Sequence, residues 1–199
     1  GSGAGIAATF HAPLDGAFFA LEVILTQFTA EAFGYVVVSS VLASLVTRAA
    51  VGDHPLIDLG GTFPLQSLPD ITWVAILGVI AGLVGLAFSK FLYLSEDWID
   101  ALWSHIPLPN WCRAGVLSIA LGGALIAFPY MYGSGYPIEI SAIFGSYSIP
   151  FLVLLLIGRI LYTSYTIGIG GSGGVFAPTL FMGAMTGMIF GQLVSPWAV

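Results

Sequence analysis

Charge is the scarcest property of this chain. Its 199 residues include four Lys or Arg and ten Asp or Glu, so charged side chains make up 7%, against about a quarter in ordinary soluble domains. That shortage excludes a soluble enzyme domain, a disordered segment and a nucleic-acid binder. A DNA or RNA surface needs clustered Lys and Arg, and here Arg48, Lys90, Arg113 and Arg159 are scattered singly. Cysteine is as rare. Cys112 stands alone, which rules out a disulfide framework and a Cys-based zinc site. His11, His54 and His105 lie far apart, with no H-E-x-x-H or other metal spacing, so no metal site is expected. The formal charge of −6 says little about partners, because most acids sit in a few connecting stretches. What the chain has in abundance is apolar surface: 58% of its residues are hydrophobic. The class that remains is a polytopic membrane protein.

The chain starts Gly1-Ser2-Gly3-Ala4-Gly5 with no methionine and no cleavable signal pattern, and stops at Val199 just after an apolar segment. The expectation is a fragment of a longer membrane domain. Apolar runs cover Gly1 to Ala12, Leu14 to Phe28 (interrupted by Glu22) and Phe33 to Thr47 (stopped by Arg48). They are short for a hydrocarbon core that needs about 20 helical residues, which predicts broken or tilted helices. Val51 to Asp70 is rich in Asp, Gly and Pro and reads as a surface loop. Ile71 to Leu94 reads as a full span, with Trp73 near one end and Lys90 and Tyr93 near the other. Ser95 to Asn110 turns polar, and its Trp98, Ile99, Leu102 and Trp103 could lie flat on a bilayer. Trp111 to Met131 is a further span, Tyr132 to Tyr147 a Gly-rich break, and Ile149 to Ile167 a span with Arg159 deep inside it. No repeat of solenoid length occurs.

The most informative stretch follows. Gly170, Gly171, Gly173 and Gly174 cannot hold a helix, yet they lie between two strongly apolar runs. Irregular backbone at membrane depth is tolerated only when buried in protein or lining a wet cavity. Pro178 suits the first helical position. Gly174, Val175, Phe176 and Ala177 are therefore expected at a helix N-terminus, where main-chain N–H groups and the helix dipole favour an anion. With no cationic side chain nearby, the anion would be held weakly enough to leave, as conduction requires. A plain flexible kink is the competing reading. Gly183, Gly187 and Gly191 repeat every four residues, a small-residue stripe suited to close helix packing.

Here the residues match a family. Gly174-Val175-Phe176-Ala177-Pro178, followed by Gly183-Ala184 and Gly187, resembles the G-x-F-x-P motif of the CLC chloride channels and chloride/proton antiporters. Gly5-Ile6-Ala7-Ala8, then Ala12-Pro13-Leu14, Gly16 and Phe19-Ala20-Leu21-Glu22, resembles the family's G-I-A-A-x-F-x-A-P-L-x-G-x-x-F-x-x-E stretch. The likeness runs over nearly all 199 residues. It implies an all-α fold of two inverted halves with tilted and broken helices, and a homodimer whose subunits each have an anion pathway. Residues 1–50 would end the first half, 51–70 would connect, and 71–199 would form most of the second half. It also implies that backbone amides at Val175 and Phe176 coordinate chloride, the transported ligand, with no cofactor. The helices of Leu14–Phe28 and Phe33–Thr47 would contribute to the subunit interface, and the whole would sit in the plasma membrane.

The family's G-S-G-I-P and G-[RK]-E-G-P motifs and a pore tyrosine would lie outside the chain. Tyr132-Gly133-Ser134-Gly135-Tyr136-Pro137 imitates the first motif but sits between the wrong helices, so no chloride role is assigned to Ser134. Antiporters of the family often have two successive acids where this chain has Glu22-Val23. Val23 cannot bind a proton, so the resemblance leans towards a voltage-gated-type channel, with an antiporter as the alternative. Asp15 departs from the small residue usual there.

Glu22 costs about 2.5–3.5 kcal/mol at the centre of a membrane helix, and a structural pairing or cap is preferred over a role in the pathway. Arg159 is expected to snorkel or to be paired rather than to act as a pore cation. Gly170-Gly171-Ser172-Gly173 also fits the G-x-S-G pattern of rhomboid-like intramembrane serine proteases. Such a nucleophile needs a base, and no His follows residue 105. A purely structural membrane scaffold is the third reading.

Overall fold

The computed structural model describes residues 1–26, 28–53, 68–145 and 147–195. Eight α-helices are described: α1 (Ser2–Phe10), α2 (Pro13–Phe19), α3 (Ala30–Val51), α4 (Leu68–Ser104), α5 (Arg113–Ala127), α6 (Tyr136–Ile143), α7 (Ile149–Gly168) and α8 (Phe176–Val194). The architecture is all-α, as expected. The chain divides into two compact units, Gly1–Pro64 and Leu65–Val199. Most of the expected 51–70 loop, including His54, lies outside the described residues.

In the first unit, α1 stops because His11 turns left-handed at φ 54 and Pro13 starts a new helix. The two helices cross on glycine. A Cβ on Gly3 would lie 2.5 Å from the Gly16 carbonyl oxygen. Ala7, Ala17, Ala20 and Leu21 are buried around that crossing, the arrangement that small residues at four-residue spacing permit. α2 passes directly into a π-helical turn, Ala20–Leu25, which ends at the left-handed Thr26. π-turns inside helices are rare and concentrate at functional positions. Thr29 caps α3, its hydroxyl accepting from the Ala32 N–H at 3.2 Å. α3 runs on past Arg48 to Val51. Arg48 donates to the His11 carbonyl at 3.2 Å and pairs with Asp53 at 3.3 Å, fastening the end of α1 to the last turn of α3.

In the second unit, α4 is longer than its sequence suggests. The polar stretch from Ser95 does not break it; the helix runs unbroken to Ser104. The flat interfacial segment expected there is corrected in the same way. Trp98 and Leu102 are exposed, but Ile99 and Trp103 are buried, and a Cβ on Gly168 of α7 would lie 2.7 Å from the Ile99 side chain. The polar residues ride the outer face while the apolar ones continue the seam. From Ile71 to Ser104 this helix counts 34 residues, about 50 Å, so it tilts within or projects beyond a bilayer. α7 packs on α4 and α8, and α8 packs also on α6. The core consists of Met131, Ala142, Leu152, Leu155, Phe181 and Met185. Five described helices (α3, α4, α5 with its leading turn, α7 and α8) are long and apolar enough to cross a membrane.

The Gly-rich break expected at 132–147 contains an element the sequence reading lacks. Gly135 is left-handed at φ 82 and Pro137 sits in the first turn, so the short helix α6 starts there.

Candidate functional site

The connection from α7 to α8 is irregular for physical reasons. Gly170 is left-handed at φ 89. The Gly171 N–H donates to the Thr166 carbonyl at 3.0 Å, and a Cβ on Gly171 would lie 2.6 Å from that oxygen. The loop is therefore folded back on the end of α7, a defined turn in place of a plain kink. Gly173 folds onto the Gly171 carbonyl at 3.0 Å. α8 then starts at Phe176, with the Val175 carbonyl accepting from Thr179 at 3.0 Å. Pro178 is the third helical residue, where the sequence predicts the first; its missing N–H still falls among those that a first turn leaves without an intrahelical acceptor. The N–H groups of Gly174, Val175 and Ala177 have no backbone acceptor among the described residues, and Gly174 and Val175 are exposed. The positive end of the α8 dipole lies at this point.

Gly173, Gly174 and Pro178 line a cavity of about 280 Å³ together with Thr163, Thr166 and Arg159. This corrects the expectation that no cation lies near. Arg159 is on the cavity wall, but its terminal donors are engaged. Arg159 Nη1 donates to the Met131 carbonyl at 3.1 Å, and Nη2 to the carbonyls of Gly133 at 2.9 Å and Ser134 at 2.6 Å. It neither snorkels nor stands free. It satisfies the carbonyls of Met131, which ends the 3-10 turn Pro129–Met131, and of Gly133 and Ser134 just before α6, and it lies 5.0 Å from the centroid of the Phe181 ring. Phe181 belongs to α8, so one side chain of α7 holds the break and faces the anion-candidate helix.

A second clamp lies at the other end of α7. Arg113, the first residue of α5, pairs with Asp100 of α4 and donates to the carbonyl of Gly168, the last residue of α7. A cation there suits the helix C-terminus. Ser95 Oγ reaches the Ser164 carbonyl at 3.1 Å, and Tyr165 OH donates to the Leu117 carbonyl at 3.0 Å. Sequence reasoning missed both arginine clamps. The signal for Arg159 was its position in an apolar run, but its acceptors lie 25 to 28 residues earlier.

Glu139 was also missed. It sits in the first turn of α6 and is 7% exposed, and its carboxyl makes no hydrogen bond or ion pair among the described residues. Burial pushes its carboxyl above the usual range, opposed in part by the Arg159 charge. An acid in that first turn also complements the α6 dipole.

Glu22 and Val23 fall in the π-helical turn and are both exposed. Glu22 has neither the basic partner nor the capping contact expected of it among the described residues. Gly183, Gly187 and Gly191 form an open stripe on α8: a Cβ at any of them would meet nothing within 4 Å. Among the described residues no group of three or more His, Cys, Asp or Glu gathers, and Ser172 is exposed with no hydrogen-bonded base.

Comparison with known proteins agrees with this architecture. The family model described as voltage gated chloride channel matches residues 1–199. The chain is 32% identical over 196 residues to the H(+)/Cl(-) exchange transporter ClcA of Vibrio parahaemolyticus, covering 96% of this chain and 41% of that protein. It is 31% identical over 205 residues to the protein of the same name from Cronobacter sakazakii, covering 99% and 42%. The X-ray crystal structure of a slow cyanobacterial Cl-/H+ antiporter superimposes with a TM-score of 0.78 at 27% identity, covering 98% of this chain and 47% of the other. The chain thus spans somewhat under half the length of the relatives it matches. With a family model matched from end to end and an antiporter fold in common, the chain belongs to the CLC family of voltage-gated chloride channels and their exchanger relatives.

Proposed function

We infer that this chain is part of a multi-pass membrane protein that moves chloride and exchanges it for protons. One observation carries the chloride part. The glycine break 170–174 leaves the main-chain N–H groups of Gly174, Val175 and Ala177 without a backbone acceptor among the described residues, at the start of a membrane-length helix. Chloride loses hydration on entering such a site, and oriented amides and the helix dipole replace it without a free full charge that would trap the ion. Phe176 lies at the same helix start and contributes its ring to the path. The exchange part follows the relatives, which are named H(+)/Cl(-) exchangers, and it replaces the channel reading as the leading one. A channel remains the second reading because Val23, in the π-helical turn, has no group that binds a proton. A homodimer joined through α2, its π-turn and α3, lying in the plasma membrane, completes the proposal. No cofactor takes part.

The test is made on the full-length protein in liposomes loaded with chloride. Chloride efflux and proton uptake are recorded together. Coupled movement of both supports exchange. Chloride efflux with no proton uptake selects the channel, and no chloride efflux overturns both readings.

A further inference from the structure

The most deeply placed carboxyl described in the chain has no assigned task. Glu139 is 7% exposed and unpaired among the described residues, and burial of that kind disfavours the ionised form of a carboxyl. Among the described residues the charged group that acts on it is Arg159, whose Nη atoms direct their hydrogen bonds to the Met131, Gly133 and Ser134 carbonyls and not to the carboxylate. The other titratable side chains on the described elements around it are tyrosines. α8, packed against α6, carries no titratable side chain at all; α7 adds Tyr162, the preceding break adds Tyr130 and Tyr132, α6 itself adds Tyr136, and the segment after it Tyr147. Arg159 therefore has two competing sets of acceptors: three neutral carbonyls that it holds now, and one carboxyl that attracts it strongly only when ionised.

We propose that Glu139 is a proton-binding site, and that its charge state sets the hold of Arg159 on the break before α6 and on Phe181 of α8. The proposal deepens the exchange reading and rests on it for its transport consequence. With the proton on, Glu139 is neutral and Arg159 keeps its three carbonyls. When the carboxyl gives its proton to water, a negative charge appears inside the core and draws the guanidinium towards it. The carbonyls of Met131, Gly133 and Ser134 then lose donors, and the cation leaves the face of the Phe181 ring. Because Phe181 is fully buried in α8 and touches the site of Gly135, the change reaches the helix whose first turn is the chloride candidate. The step is a single proton transfer, with no other bond made or broken. It gives the chain a protonatable group that Val23 does not supply.

The experiment uses the full-length protein, reconstituted in phospholipid vesicles, as wild type, Glu139→Gln and Arg159→Lys. Infrared difference spectra are recorded from about pH 5 to about pH 8, and chloride efflux is measured over the same range. The expected wild type shows a protonated-carboxyl stretch that disappears as pH rises. Glu139→Gln lacks that band, and its efflux stays at the wild-type acid-side rate across the range. Arg159→Lys, whose ammonium cannot span three carbonyls and turns to the carboxylate, moves the midpoint towards acid; it serves also if Glu139→Gln does not fold. The proposal is overturned by an identical band and efflux profile in Glu139→Gln, by no protonated band in the wild type, or by an unmoved midpoint in Arg159→Lys. Wild-type chloride efflux without proton uptake would defeat the exchange reading alone, since the infrared titration reads Glu139 independently.

Discussion

The ring of Phe181 fills the space that any side chain at Gly135 would need: a Cβ there would lie 2.6 Å from Cδ2 of the ring. Gly135 is also left-handed at φ 82. Glycine is thus required twice at this position, for its backbone and for the close approach. Gly135→Ala is expected to cost about 1–2 kcal/mol in backbone strain and about 1–3 kcal/mol more from overpacking. Gly145 is left-handed at φ 73 with nothing within 4 Å of its missing Cβ, so Gly145→Ala should cost the strain alone. Denaturant unfolding of the full-length protein in detergent compares them, and equal losses would refute the role given to Phe181.

The first turn of α8 can be tested by charge. Phe176→Asp places a carboxylate at the helix start, where it suits the dipole and should leave the helix intact. For a chloride about 4 Å away the repulsion is about 4 kcal/mol at an effective dielectric of 20. Even a third of that lowers occupancy about tenfold. Chloride efflux from liposomes should fall at least by that factor while helical content, measured by circular dichroism, is retained. Unchanged efflux would remove the anion from this turn.

The α1–α2 crossing makes a paired prediction. A Cβ on Gly16 would enter the Gly3 carbonyl and lie 2.8 Å from the Ala7 nitrogen, and backbone cannot swing aside as a side chain can. Gly5, two residues along α1 from Gly3, has nothing within 4 Å. Gly16→Ala should destabilise by about 1–3 kcal/mol, whereas Gly5→Ala should stabilise by up to about 1 kcal/mol through helix propensity. Thermal unfolding of the two variants measures the difference in sign.

How much of this was legible in the sequence depended on the range of the interaction. Local signals carried well. The glycines at 170–174 predicted a break, and Pro178 placed the next helix start within two residues. The apolar run at 149–167 became α7. Polarity misled at Ser95, because a helix that keeps Ile99 and Trp103 on its buried side tolerates Glu96, Asp97 and Asp100 on the other. α6 was hidden because eight residues opened by Gly135 and Pro137 look like a loop when read alone. Pairings across many residues were not legible. Nothing in the order of residues says that Arg159 faces Met131 and Ser134 or that Arg113 faces Gly168; those contacts exist only once the helices pack.

The buried carboxyl of Glu139 gives a pH prediction whose sign follows from its environment. Burial holds its folded-state proton affinity above that of the unfolded chain, with the Arg159 charge only partly offsetting the effect. Below the unfolded value both states are protonated, and Glu139 adds no penalty. As pH rises past that value the unfolded chain ionises first, so the unfolded state binds fewer protons and stability declines until the folded carboxyl ionises too. Glu139→Gln removes the titration while keeping the shape of the neutral acid. The variant should match the wild type near pH 4.5, the ordinary value for this group, and become the more stable of the two as pH increases. Urea unfolding in detergent at several pH values measures this gap. A gap that opens instead towards acid would mean that the carboxylate is the form the fold prefers, held by Arg159 as a true ion pair.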